Sequence, residues 1–137
     1  MKILIVLLLL VATAQAEPVF TDKERATIDN AIRLTAGYKL KLTHYSKLEN
    51  MNKLGKWLIT TSVYRQSMKQ YTAVKHIIVK QNDKFEIAKQ NKLNDLFLQM
   101  QHLYFKLKPA NNILVPHNYI YNVWRYTDTT QQIAKLL

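Results

Sequence analysis

Any catalytic or metal-binding chemistry in this chain would have to come from four histidines, nine acidic residues and three serines, since cysteine is absent. His44, His76, His102 and His117 show no i, i+4 pairing and no nearby carboxylate at zinc-ligand spacing. Ser46, Ser62 and Ser67 lack the flanking glycines of a nucleophile elbow, and Gly37 and Gly55 alone cannot build a phosphate-cradling loop. Asp83 and Glu86 are the nearest approach to a carboxylate pair, but they read as favourable charge at a helix start. These residues support no enzyme, no metal site and no cofactor.

What remains is a basic surface interleaved with aromatic rings. Lys plus Arg number 20 against 9 acidic residues, giving a formal charge of +11, beside eight tyrosines, four phenylalanines and two tryptophans. The charge is concentrated between Tyr38 and Lys108, which carry fourteen basic and four acidic residues. A field of that sign steers a protein toward anionic surfaces in a salt-dependent way. Lys39, Lys41, Lys47, Arg65, Lys69 and Lys80 are the candidate steering residues. Trp57, Phe97, Phe105, Tyr119, Tyr121 and Trp124 are candidates for partner contact or self-association, because one small core does not readily hide so many rings.

Export is expected from the first sixteen residues. Lys2 precedes an apolar run of ten, Ile3 to Ala12, and Ala14-Gln15-Ala16 forms a small-x-small cleavage site. The run is too short to span a bilayer, which needs about twenty residues. Residues 1–16 therefore read as a signal peptide and 17–137 as one domain. No Asn-x-Ser/Thr sequon is present, so N-glycosylation is not expected. An exported domain without cysteine must be held by packing rather than by disulfides. An exported protein also gives little reason to expect nucleic acid as partner.

Two glycines and three prolines leave few tight turns, which disfavours a strand-rich sandwich. Thr21-Asp22-Lys23-Glu24 is a capping box that opens a first helix. Its apolar stripe is Ile28, Ala31, Ile32, Thr35, Tyr38, Leu42 and Tyr45, running past Gly37, where a close neighbouring backbone is expected. A second helix is expected from about Leu48 to Lys80, with Trp57, Thr61, Tyr64, Met68, Tyr71 and Ile78 inward and a bend at Gly55. Arg65, Lys69, His76 and Lys80 form a basic row beside that stripe, and Lys75 falls within it. Asn82-Asp83 signals the start of a third helix, whose stripe is Leu93, Leu96, Phe97, Met100, Leu103, Tyr104 and Leu107, ended by Pro109. Pro109 to Asn118 reads as a loop, Tyr121 to Tyr126 as a short helix and Gln131 to Leu137 as a weak last one. The expected architecture is all-α, a single-domain antiparallel bundle of four to five helices.

Several elements resemble the sperm lysins of abalone and top snails. Glu17-Pro18-Val19-Phe20 followed by a helix reaching Ala36-Gly37-Tyr38 is similar to the Glu-Pro-x-Phe and Ala-Gly-aromatic elements of the family's first helix. Tyr104-Phe105, Leu107-Lys108, Asn112, Ile113, Pro116, Tyr119, Tyr121 and Arg125 are similar in order and spacing to its late segment. Two departures stand out. Lysine replaces the family's arginine tracks, with Arg65 the lone arginine between Tyr38 and Lys108. The basic, aromatic extension that precedes Glu-Pro in abalone lysin is missing if cleavage follows Ala16.

The resemblance implies a secreted sperm acrosomal protein that binds the egg vitelline envelope glycoprotein and dissolves the envelope without catalysis, molecule for molecule, during fertilization. A homodimer is compatible with this reading. The family also contains a fusogenic acrosomal paralogue, so the alternative implied is action on the egg plasma membrane.

Overall fold

The computed structural model describes the backbone of residues 18–44, 51–108 and 116–137, with side chains of 34–44 and 116–118 excepted. Four α-helices fill this length: α1 (Asp22–His44), α2 (Lys53–Gln81), α3 (Ile87–Lys106) and α4 (Pro116–Leu136). They form an all-α antiparallel bundle in which α4 packs on α1 and α3, and α2 packs on the same two helices. The expected signal peptide, residues 109–115 of the expected Pro109–Asn118 loop and the inward positions Thr35 to Tyr45 lie outside the described residues or side chains, and the last three residues of that expected loop are helical instead.

The capping box forms as its residue types require. The Thr21 amide donates to Glu24 Oε1 and the Glu24 amide to Thr21 Oγ1, both at 3.1 Å, so two amides that α1 leaves without helical partners are satisfied. The helix continues through Gly37; whether another backbone lies close there falls outside the described side chains.

For α2 the structure corrects two expectations. The helix begins at Lys53, because the Asn52 side chain accepts from the Gly55 amide at 2.8 Å. Gly55 therefore sits in the first turn and marks the capped start, not a bend. The inward face is also rotated: Thr60, Ser67, Gln70, Tyr71, Val74, Ile77, Ile78 and Gln81 are buried, whereas Trp57, Met68 and Lys75 are exposed. Lys75 thus needs no special account, since it points to water.

A 3-10 turn, Asn82–Lys84, follows α2, and Glu86 rather than Asn82 stands ahead of α3. Phe85 is buried between the two helices' ends, and its carbonyl accepts from the Gln90 side chain at 2.7 Å. The α3 stripe is as expected: Leu93, Leu96, Met100, Leu103, Tyr104 and Leu107 are buried and Phe97 is half-buried. Rings fix its register against α2. Tyr71 stacks on Phe97 at 5.4 Å and Tyr64 on Tyr104 at 5.3 Å, so ascending α2 means descending α3. Tyr71 also stacks on Tyr104 at 4.6 Å, and Tyr104 donates a hydrogen bond to the Tyr64 hydroxyl at 3.2 Å. Burial, with that donation, pushes the Tyr104 hydroxyl pKa up.

The last two expected helices are one. Pro116, lacking an amide that a first-turn position does not need, opens α4, which then runs to Leu136. Tyr119, Val123, Tyr126 and Ile133 place its inner face in the core, and the Tyr126 hydroxyl donates to the Ser67 carbonyl of α2 at 3.1 Å.

Candidate functional site

The start of α1 meets the end of α2 at a polar joint. Glu24, buried at the contact, accepts from Lys80 Nζ at 3.1 Å as well as from the Thr21 amide. Gln81, fully buried, donates to the Val19 carbonyl at 3.0 Å and to Glu24 Oε2 at 3.5 Å. The Thr21 amide above all, with Lys80, the Thr21 hydroxyl and Gln81 adding to it, outweighs the opposing effect of burial and holds the Glu24 carboxyl at about 2, against 4.5 ordinarily.

The sign of the pH effect follows. A depressed carboxyl pKa stabilises the fold fully above about pH 4.5 and loses that contribution as pH falls toward about 2. Urea midpoints of the wild type and Glu24→Gln are therefore expected to differ at pH 6 and to converge between pH 4.5 and 2. A gap that stays constant through that interval would show that Glu24 is not held as described.

Lys80 thus has a structural task that removes much of its charge from the steering set. Arg65 and Lys69 are exposed on α2 and make no ion pair among the described residues. Lys39 and Lys41 lie on α1 with side chains outside the described residues, and Lys47 lies outside altogether.

The aromatic candidates separate by burial. Tyr119 is only 1% exposed and belongs to the core, which corrects its assignment as a contact residue: its ring is spent on packing α4. Phe97 is half-buried and anchored on Tyr71. Trp57, Phe105, Tyr121 and Trp124 stand 45%, 50%, 60% and 43% exposed on α2, α3 and α4. Two of these carry a cation near the ring face, Lys108 over Phe105 and Arg125 over Tyr121, each at 5.7 Å from the centroid.

One place brings charge and ring together. Trp57, Leu58, Thr61, Ser62, Arg65 and Gln66 line a groove of about 430 Å³ along the first half of α2. Leu54, one turn earlier, is exposed as well. Leu54, Trp57 and Leu58 stand exposed at i, i+3 and i+4, and Arg65 lines the same groove, so the face sets apolar side chains beside a cation. Leu54 and Leu58 were not among the expected contact residues. Their signal was the i, i+4 spacing with Trp57 between them, available in the sequence once the helix phase is known.

Among the described residues, no group of three or more His, Asp and Glu side chains could hold a metal ion, and no helix is long and apolar enough to cross a membrane. No family model matches the chain, and no curated protein or solved structure matches it.

Proposed function

We propose that the protein is a secreted acrosomal binder that loosens the egg vitelline envelope by stoichiometric association with its glycoprotein, without breaking covalent bonds. The observation that carries this reading is the exposed strip of Leu54, Trp57 and Leu58 with Arg65 beside it, on a helix backed by the bundle. To take apart a fibre without cutting it, a protein must compete for the apolar and hydrogen-bonded contacts between the fibre's own units. That requires an apolar surface kept exposed on a firm scaffold, and charge to speed encounter. The resemblance of Glu17 to Phe20, Ala36 to Tyr38 and the late tyrosine-rich segment to sperm lysins points the same way.

A second reading draws on the same strip. Exposed leucine and tryptophan beside cations also suit an anionic bilayer surface, as the fusogenic paralogue would require.

Dose separates the readings. Adding increasing amounts of mature protein to isolated egg envelopes is expected to dissolve an amount proportional to the protein added. Complete dissolution by trace protein given time would mean turnover and overturn the binder. No dissolution at any dose, together with leakage of anionic liposomes, would transfer the function to the membrane.

A further inference from the structure

A second cleft, of about 700 Å³, runs between the first turns of α1 and the later half of α2 and shares no lining residue with the Trp57 groove. Its surface is mostly apolar, with Met68, Ala73 and Ile77 contributed by α2. Thr27 and Thr72 also line it, but their hydroxyls donate to the Lys23 and Met68 carbonyls of their own helices at 3.0 and 2.8 Å, which lowers the polarity they offer a ligand. Lys23, Lys69, His76 and Lys80 stand around it, and the one acidic lining residue, Glu24, already accepts from Thr21, Lys80 and Gln81. The cleft therefore combines an apolar floor with two cations on its rim, Lys23 and Lys69, while Lys80 and Glu24 offset each other as an ion pair.

We propose that this cleft binds a single-chain anionic amphiphile, a small molecule with one acidic head group and one alkyl chain. The head pairs with Lys23 and Lys69, and the chain lies along Met68, Ala73 and Ile77. Three features select this class. The volume is that of a small-ligand site rather than of a groove holding a whole helix. No Phe, Tyr or Trp ring lines the cleft to stack against a sugar. A bare inorganic anion would leave the apolar floor unused, at a cost in buried area that an alkyl chain recovers. A fatty carboxylate and a lysophosphatidate share the required chemistry, and occupancy of the cleft does not require envelope binding.

The test titrates the isotope-labelled full mature chain with myristate and with myristoyl lysophosphatidate, each below its micelle concentration, and follows backbone amide resonances. One molecule of either per chain is expected to bind, shifting amides of residues 21–27 and 68–80 while leaving those around Trp57 in place. Lys23→Glu is expected to weaken binding about tenfold, through loss of one charge-assisted contact. It spares the fold, because an acidic residue suits the first turn of a helix. Thr72→Trp, at an exposed position, is expected to block the cleft and abolish binding. Equal binding of the zwitterionic lysophosphatidylcholine would overturn the charge assignment. Shifts only with phosphatidylserine vesicles would mean a bilayer surface instead, and full competition by inorganic phosphate would mean an anion site without a chain. Absence of binding, or binding indifferent to both variants, would also overturn the proposal. Envelope dissolution measured on the same variants keeps failure here distinct from failure of the envelope reading.

Discussion

Leu93→Ala is expected to destabilise the bundle by about 2–5 kcal/mol, the cost of deleting a leucine where neighbouring side chains cannot collapse into the space. Leu93 is fully buried in α3, in one core cluster with Tyr71, Val74, Met100 and Tyr126, so the void would open where three helices meet. With no cysteine to bridge them, those helices are held by packing and hydrogen bonds, and total stability for a domain of this kind is about 5–15 kcal/mol. A loss of that size therefore removes a large share of the margin and lowers the melting temperature by about 10 °C or more. Phe105→Ala is the comparison, because Phe105 is half exposed on the same helix. Its cost is expected to stay within about 0.5–1 kcal/mol. Urea denaturation of the two variants checks both values, and a Leu93 cost below about 1 kcal/mol would contradict its place at the centre of the core.

That contrast follows what the sequence made legible. On α3 the apolar residues recur at helical spacing and most of the intervening positions are polar, with Leu98 and Phe105 as exposed exceptions, so one face stands out, and Leu93, Leu96, Met100, Leu103 and Leu107 all face inward. On α2 the pattern is ambiguous, since apolar residues occur all the way round. The buried face includes Thr60, Ser67, Gln70 and Gln81, while Leu54, Leu58 and Val79 face water. Periodicity cannot choose between two such faces. The choice is made by partners distant in sequence: Tyr126 donates to the Ser67 carbonyl, and Gln81 donates to Val19 and Glu24. Thr60 is tolerated inside because its hydroxyl donates to the Lys56 carbonyl at 2.8 Å.

The break expected within α4 has a similar origin. Thr127, Thr129 and Thr130, which lie between the two expected helices, are poor helix formers by propensity and interrupt the apolar stripe. In the bundle all three are buried, and the Thr127 and Thr130 hydroxyls donate to the Trp124 and Tyr126 carbonyls, each at 2.8 Å. Tertiary burial overrides the propensity. The same distance in sequence hid the fate of Lys80, whose partner Glu24 lies on another helix. Charge type and number were readable from composition, but which charges remain available to a partner depends on contacts that only the fold creates.

On the proposed envelope-binding reading, Arg65→Glu with Lys69→Glu is expected to slow association with the egg envelope by about tenfold or more at low ionic strength, without unfolding the bundle. Both side chains are exposed, with no ion pair among the described residues, so reversing them breaks no ion pair there. Lys80 is unsuited to this test, because reversing it would place a second carboxylate against Glu24. The two substitutions change the net charge by four units in the segment that carries most of the positive field, and Arg65 also borders the Trp57 groove. Long-range steering acts on encounter, so the association rate should fall more than the dissociation rate rises. Salt provides the internal control. At about 1 M, where the screening length is about 3 Å, the wild type should slow toward the variant and most of the difference should vanish. The amount of envelope dissolved per molecule once bound should change less than the rate, because the apolar strip of Leu54, Trp57 and Leu58 is intact in the variant. Surface-immobilised envelope glycoprotein, with rates measured across a salt series, separates these quantities. Association indifferent both to salt and to the double reversal would remove Arg65 and Lys69 from the contact face and leave the apolar strip to account for binding alone.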